Sequence, residues 1–453
     1  MPFNPLDYGI MPVALNGAEP DQFLQVKLVY DALADAGHPE QTIDRRRVEV
    51  ILGKGNYLGA GHANLIQKAV VTEQTLGIIQ DLHPEFTDDD LKLIKKELQS
   101  HLRPFNAETA SSLIPNLATG RVTNRLDFMG SNYTIDAACA SSLIATEIGV
   151  QDLLTGKYDL SVIGGAHICN DIPFLTLFSS LGAVSPRSKI PPFDEAADGT
   201  IPGEGIGVLL LKRLADAERD GDRIYAVIKG VGSASDGRGL SVTAPRVEGE
   251  ELALQRAYEM ARIDPQTVEL IEAHGTGTAV GDAAEVEALH RVFGTREEGT
   301  HPWCALGAVK SMIGHCFPAS GVAGMMKAIL ALYHKILPPT LNVENPLAQL
   351  RSKDTPFYIN TETRPWIHGR QDVPRRAGVN AFGFGGINAH VILEEYQKLD
   401  ELNSPRIHTQ WDSEVFIFSG ASRQALIEHA QQVRAFLANS PDVPLKDLAY
   451  TLN

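Results

Sequence analysis

Apolar residues recur at helical spacing from Asp21 to Ala36, at Phe23, Val26, Tyr30 and Leu33, and Gly37 suits the stop of that helix. Val48 to Leu52 reads as a short β-branched strand, and residues 62–102 as two polar helices making a surface excursion. Thr87 followed by three aspartates suits the start of the second, because carboxylates favour a helix N-terminus. From about Asn132 strand and helix alternate. YTIDA runs into a helix expected over Cys139–Leu154, followed by the strands LSVIGG, IGVLLLK, IYAVIKGVG, VELIEAHG, CALGAV, AGVNAF and HVILEE. Helices over 249–263, 282–293 and 320–334 separate several of them. This alternation predicts a layered α/β fold with buried sheets. A strand leading into TIDAACASS is echoed by a strand leading into NAFGFGGINAH, which hints at duplicated halves. Beyond about Tyr396 a polar stretch leads to the strand EVFIFSG, a helix from Arg423 to about Leu437, and LKDLAYTLN as the start of another helix.

Composition narrows the classes. A chain of 453 residues that is 43% hydrophobic and 21% charged is globular and too long for one ordinary core. A formal charge of -16 opposes a phosphate backbone, so nucleic-acid binding is not expected. Four cysteines without C-x-x-C spacing make neither a disulfide framework nor a zinc site, and suit a reducing, cytoplasmic setting. MPFNPLDYGIMP has no signal-peptide pattern and no apolar run approaches 18 residues, so no membrane association is expected.

Four segments can carry chemistry. In TIDAACASSL, Cys139 follows a strand and starts a helix, where unpaired N–H groups and the dipole lower a thiol pKa; it is either a nucleophile or a buried structural cysteine. In EAHGTGTAVGD, His274 ends a strand on a glycine-rich turn, where functional groups project, or it bonds the local backbone while Asp282 caps the next helix. Thr276 and Thr278 offer hydroxyls to an amide-containing arm. In VKSMIGHCFPASG, Lys310 and His315 are a buried cation and a positioned imidazole, or a solvated lysine and a capping histidine; Cys316 reads as packing. In NAFGFGGINAH the glycines permit close backbone approach to a ligand oxygen, without P-loop or dinucleotide-binding spacing. FDEAADGTIPGEG fails the EF-hand spacing and reads as structural.

Together, and in this order, the four segments resemble the β-ketoacyl synthase family, from near residue 1 to about 397. The stretch 62–102 with PFNAETASSLIPNLATGRVTNRLDFMG resembles ketosynthases of bacterial iterative synthases, which make polyketides, polyunsaturated fatty acids or glycolipid acyl chains. The resemblance implies a thiolase-like fold: two duplicated α/β halves in a five-layered α-β-α-β-α arrangement, usually a homodimer. It places the halves at 1–245 and 246–397, with 398–453 as the start of a linker between ketosynthase and acyltransferase. It implies that Cys139 takes an acyl chain from the phosphopantetheine of an acyl carrier protein, and that a malonyl-type unit then decarboxylates and condenses with it. His274 and His315 would stabilise the developing charge, and the backbone N–H groups of Cys139 and Phe384 the acyl-enzyme oxyanion. Thr276 and Thr278 would touch the pantetheine arm, and Lys310 would hold the histidines electrostatically. No metal or bound cofactor is implied. Three departures stand out: Ile387 where the family often has Thr, Cys316 and Ser320 in a stretch usually Ala-rich, and no apolar opening strand, which the family is expected to place centrally in the first sheet. Two other readings stay open: a non-decarboxylating thiolase using Cys316 as acid/base, and a catalytically silent ketosynthase-like partner.

Overall fold

A computed structural model describes residues 3–37, 43–56, 59–239, 241–369, 373–397, 413–440 and 443–452. The chain forms two compact units, Met1–Tyr396 and Gln397–Asn453. The first half of the larger unit runs α1 (Asp21–Asp35), β1 (Val48–Lys54), α2 (Ala60–Ile66), α3 (Thr72–Leu82), α4 (Asp88–Ser100), α5 (Ala107–Ser112) and α6 (Leu117–Leu126). It continues with β2 (Asn132–Ile135), α7 (Ser141–Leu154), β3 (Leu160–His167), α8 (Ile172–Ser180), β4 (Gly205–Leu211) and α9 (Leu214–Asp220). The second half starts with β5 (Val227–Ser235), α10 (Val247–Ala261), β6 (Leu270–Glu272), α11 (Ala279–Phe293), β7 (Cys304–Gly307) and α12 (Lys310–Ile313). It ends with α13 (Ser320–His334), β8 (Ile336–Leu337), β9 (Phe357–Ile359), β10 (Arg364–Pro365), β11 (Arg376–Gly383) and β12 (Ile387–Glu394).

The first sheet has the order β2-β1-β3-β4 and the second β5-β12-β11-β6-β7-β9. In the first, β1 is parallel to β2 and β3, and β4 is antiparallel to β3. In the second, β6 is parallel to β7 and β11, and β12 is antiparallel to β11. Thus β2-β1-β3-β4 matches β7-β6-β11-β12 strand for strand, a duplication visible in the backbone. The echo expected between the Cys139 turn and the glycine-rich turn pairs the wrong loops. The loop after β2 corresponds to the loop after β7, so Cys139 answers to Lys310 and His315. The centre of the first sheet is filled by β1 and β3. Where it falls short of the second sheet is at its edges, β5 being the strand beside β12 that has no counterpart among the described residues, so the strand expected to be wanting is not a central one.

Alternation along the strands builds three cores. Val50 and Leu52 of β1 and Val162 of β3 pack with Val26 and Val29 of α1 and Val122 of α6. Leu143 of α7 and Met325 and Ala328 of α13 meet Val379 and Ala381 of β11 and Val391 of β12 between the sheets. On the far side Ile271, Leu306 and Ile392 pack against Leu254 of α10 and Val286 and Leu289 of α11. Neighbours Val391 and Ile392 point into different cores, as period-two strands require. The layers therefore run helix, sheet, helix, sheet, helix, and each large apolar side chain fully buried contributes about 1.5–3 kcal/mol.

The polar stretch 62–102 forms one long helix through α2 and α3, joined by a π turn at Gln67–Val71, and then α4. Thr87 caps α4 in a reciprocal capping box with Asp90. In the smaller unit α14 (Arg423–Asn439) is capped by Ser422 and followed by α15 (Leu445–Leu452). The strand expected at EVFIFSG is absent: residues 413–420 carry no regular secondary structure. Among the described residues no helix is long and apolar enough to cross a membrane.

Candidate active site

Cys139 lies in the turn between β2 and α7, not in the helix as expected: α7 starts at Ser141. Ala138 has φ +47°, a left-handed conformation that turns the chain sharply before the thiol. Local bonds fix this turn. The Ser141 hydroxyl accepts from Ala137 N–H at 2.9 Å and donates to the Ala138 carbonyl at 2.6 Å, while Asp136 accepts from Ala138 N–H at 3.0 Å. Gly383, at the end of β11, approaches so closely that a Cβ there would lie 2.6 Å from the Ala137 carbonyl oxygen. This contact brings the glycine-rich turn onto the nucleophile turn, and the backbone N–H groups of Phe384 and Cys139 reach the sulfur.

The two histidines converge on the thiol. His315 Nε2 is 3.1 Å from Cys139 Sγ. The rings of His274 and His315 stand nearly perpendicular with centroids 5.6 Å apart. His274 Nδ1 accepts from Phe382 N–H at 3.3 Å, and His315 Nδ1 from Phe317 N–H at 3.2 Å. An amide N–H can only donate, so each ring keeps its Nδ1 lone pair inward and carries its proton on Nε2. Both histidines are therefore neutral donors grouped around Cys139.

Buried groups hold this arrangement. Glu285 of α11 accepts from the backbone N–H groups of His274 and Gly275 at 2.7 and 2.8 Å. Asn380 donates to Glu285 at 2.8 Å. Asp282 does not cap α11, which starts at Ala279 after Thr278; from the first turn it accepts from Phe193 N–H at 2.7 Å and Gly277 N–H at 3.1 Å. It thereby clamps FDEAADG, read as structural, against the His274 loop. The following IPGEG segment holds His315 by its backbone: His315 N–H donates to Ile201 O, and Gly203 N–H to His315 O. Lys310, 2% exposed, donates to the His274 carbonyl at 2.5 Å. Thr276 and Thr278 are half-buried, with their hydroxyls 3.0 Å apart.

Electrostatics correct one expectation. Burial pushes the Cys139 thiol above its ordinary value, and the pull of Lys310 and of the Phe384 and Cys139 N–H groups only moderates this. The position before a helix does not overcome desolvation. Burial, then Lys310, holds both histidines well below the usual imidazole range. Burial also lowers Lys310, and raises Glu285 and Asp282, the latter to about 7.

The candidate ligand atoms of Cys139, His274 and His315 lie within 4.8 Å of one another, a spacing that suits a zinc ion. A metal on Nε2 would move each ring proton to Nδ1, against the Phe382 and Phe317 N–H groups. The donor set is thus arranged for proton donation and does not fit a cation. Cys316 lies outside this group; its thiol donates to the Gly314 carbonyl.

Sequence reasoning identified Cys139, His274, His315 and Lys310 but not Asp136, Ser141, Glu285 or Asn380. Ser141, two residues after the nucleophile, is a local signal. Glu285 and Asn380 become visible only when the loops fold together.

Residues 2–217 match the β-ketoacyl synthase N-terminal domain, 225–344 its C-terminal domain, and 346–453 a ketoacyl-synthetase C-terminal extension. The chain is 35% identical to a polyunsaturated fatty acid synthase of Thraustochytrium sp., over 99% of this chain and 16% of that protein. It is 36% identical to polyketide synthase PksN of Bacillus subtilis, over 99% of this chain and 8% of that protein. The chain thus spans less than a fifth of these relatives' length. The ketosynthase from module 6 of the Bacillus subtilis bacillaene synthase superposes with TM-score 0.71 at 31% identity, over 99% of this chain and 70% of that one. The oxazolomycin ketosynthase domain of Streptomyces albus gives TM-score 0.72 at 28% identity, over 99% and 72%. By sequence and by fold, the chain belongs to the β-ketoacyl synthase family, as a ketosynthase domain of the kind found in type I polyketide and polyunsaturated fatty acid synthases.

Proposed function

We propose that this domain joins acyl units by decarboxylative Claisen condensation, with Cys139 as the acyl carrier. The observation that supports it best is the 3.1 Å approach of His315 Nε2 to Cys139 Sγ, with His274 beside it as a second neutral donor. In the first half-reaction the sulfur attacks an acyl thioester on the phosphopantetheine of a carrier protein. The carrier thiol leaves with the proton that Cys139 gives up, and the acyl-enzyme forms. The N–H groups of Cys139 and Phe384 donate to the oxyanion of this step.

In the second half-reaction a malonyl-type thioester loses carbon dioxide. The electron pair released becomes an enolate whose oxygen accepts from the Nε2–H groups of His274 and His315. One such donor is worth about 2.7–4 kcal/mol at a developing charge. The enolate carbon attacks the acyl-enzyme, the Cys139 thiolate departs and takes up a proton, and a β-ketoacyl carrier is released. Thr276 and Thr278 contact the pantetheine arm. Lys310 acts through His274, holding its carbonyl while favouring the thiolate and the neutral rings. In this reading the carrier and an acyltransferase belong to the same intracellular synthase, and two copies of the domain pair.

A thiolase would need a second cysteine at the reacting centre, and Cys316 bonds a backbone carbonyl instead. A silent partner would not need the Cys139, His274 and His315 cluster. Acylated enzyme given malonyl-carrier protein should release carbon dioxide and β-ketoacyl-carrier in equal amounts. Condensation with an acetyl carrier and no carbon dioxide would overturn the reading.

A further inference from the structure

We propose that Ser320 is a positioning residue for His315, its hydroxyl donating to Nδ1 so that the ring presents Nε2–H to the Cys139 sulfur. The proposal deepens the condensation reading and rests on it for its kinetic consequence. Ser320 is the first residue of α13, is 4% exposed, and places Oγ 2.7 Å from His315 Nδ1. The direction of this bond follows from its neighbour. Phe317 N–H already points at the same nitrogen from 3.2 Å, so Nδ1 offers a lone pair and carries no proton. A hydroxyl beside that lone pair completes its bond only by donating.

A serine in a helix commonly turns its proton back to a carbonyl one turn earlier. Here the Cys316 carbonyl, four residues back, takes the Ala319 N–H. The ring is also fixed in plane, stacked on Phe317 with centroids 4.3 Å apart and an interplanar angle of 14°. Two donors on Nδ1 oppose protonation there. The imidazole stays neutral in mildly acidic solution and stays in the tautomer whose Nε2–H faces the thiol. With alanine at 320 only the weaker amide contact would remain. His315 would then protonate more readily and lose part of its orientation.

The test compares wild type with Ser320→Ala and Ser320→Thr. Malonyl-carrier decarboxylation is followed from pH 4 to 8, and the ring nitrogens of 15N-histidine-labelled protein are read by NMR. Loss of one hydrogen bond should move the acidic limb of the S320A profile upward by about 0.5–1 pH unit, with kcat falling about tenfold. Threonine, which keeps the hydroxyl, should restore both. In wild type the His315 Nδ1 signal should be that of an unprotonated acceptor, shifted in S320A. Superimposable S320A and wild-type profiles, a loss that threonine does not recover in folded protein, or a wild-type signal showing Nδ1–H would each overturn the proposal. The nitrogen signals need no turnover. A wild-type protein that releases no carbon dioxide would sink the condensation reading while the tautomer is still read directly.

Discussion

Lys310 donates to the backbone carbonyl of His274, at 2.5 Å, and stays 3.5 Å from the ring nitrogen Nδ1. The lysine therefore fixes the loop chiefly through the carbonyl, adds a longer donor contact to the same Nδ1 that Phe382 N–H meets, and its charge reaches the whole site. It favours the Cys139 thiolate and disfavours protonation of both histidines. Lys310→Met should remove this field while keeping most of the buried volume. Alkylation of Cys139 by iodoacetamide at pH 8 should slow about tenfold, the effect of a rise of one pKa unit. Rates followed by intact-protein mass check this, and an unchanged rate would mean that the charge does not reach the thiol.

Burial raises the Cys139 thiol from an ordinary value of 9.0, so little thiolate is present at neutral pH. Wild-type alkylation should then climb about tenfold per pH unit between 7 and 9 with no plateau. A plateau near pH 7 would show that the helix start, as the sequence suggested, does overcome burial.

His274 is held at three points: its amide by Glu285, its carbonyl by Lys310 and its Nδ1 by Phe382 N–H. His274→Ala removes one Nε2–H donor to the enolate, so malonyl-carrier decarboxylation should fall about 10²–10³-fold. Acylation of Cys139 should fall far less, because the oxyanion of that step is served by backbone N–H groups. Comparing carbon dioxide release with the acyl mass gained by the same variant separates the two.

Local signals were sufficient where local forces decide. The α13 helix spans Ser320–His334 as its periodicity predicts, and Thr87 caps α4 with the acidic turn behind it. The helix α8, Ile172–Ser180, was missed because IPFLTLFSS is apolar nearly all round and shows no period. β6 keeps only Leu270–Glu272 of the longer strand expected, since the chain turns off at Ala273 to present His274. Glu285 and Asn380 lie 95 residues apart and meet only across the second half's sheet and helix. Nothing in either local segment announces the bond. The raised thiol was likewise out of reach, because burial belongs to the packed layers and not to the turn that carries Cys139.

Gly383 is a point where the two halves of the site touch, and a side chain there has no room. A Cβ would stand 2.6 Å from the Ala137 carbonyl and 2.7 Å from an Ile387 methyl. Gly383→Ala should push the glycine-rich turn off the nucleophile turn, costing about 1–3 kcal/mol as overpacking does. The Phe384 N–H would be displaced from the sulfur, so Cys139 acylation should slow more than the loss of stability explains. Thermal melts paired with acylation rates at a temperature where the variant stays folded check this.

Glu49 of β1 is fully buried beside Ser161 of β3, and among the described residues neither of its carboxylate oxygens meets a partner at full hydrogen-bond geometry. Burial raises its pKa from 4.5 to about 7, opposed by Ser161 and reinforced by Asp152 of α7. The sign follows from proton binding. Below about pH 4.5 the carboxyl is protonated in both folded and unfolded chains and costs nothing. Between 4.5 and about 7 the folded chain holds the proton more tightly, so stability falls as pH rises. Above 7 both are ionised and the folded state carries the full cost of a buried carboxylate, about 3 kcal/mol as an upper bound. Glu49→Gln keeps the shape and removes the ionisation. Its melting temperature should match wild type at pH 4.5 and exceed it at pH 8 by about 2–6 °C. Melting curves of both proteins across this range decide it, and a difference that does not grow with pH would show that Glu49 finds a partner in solution.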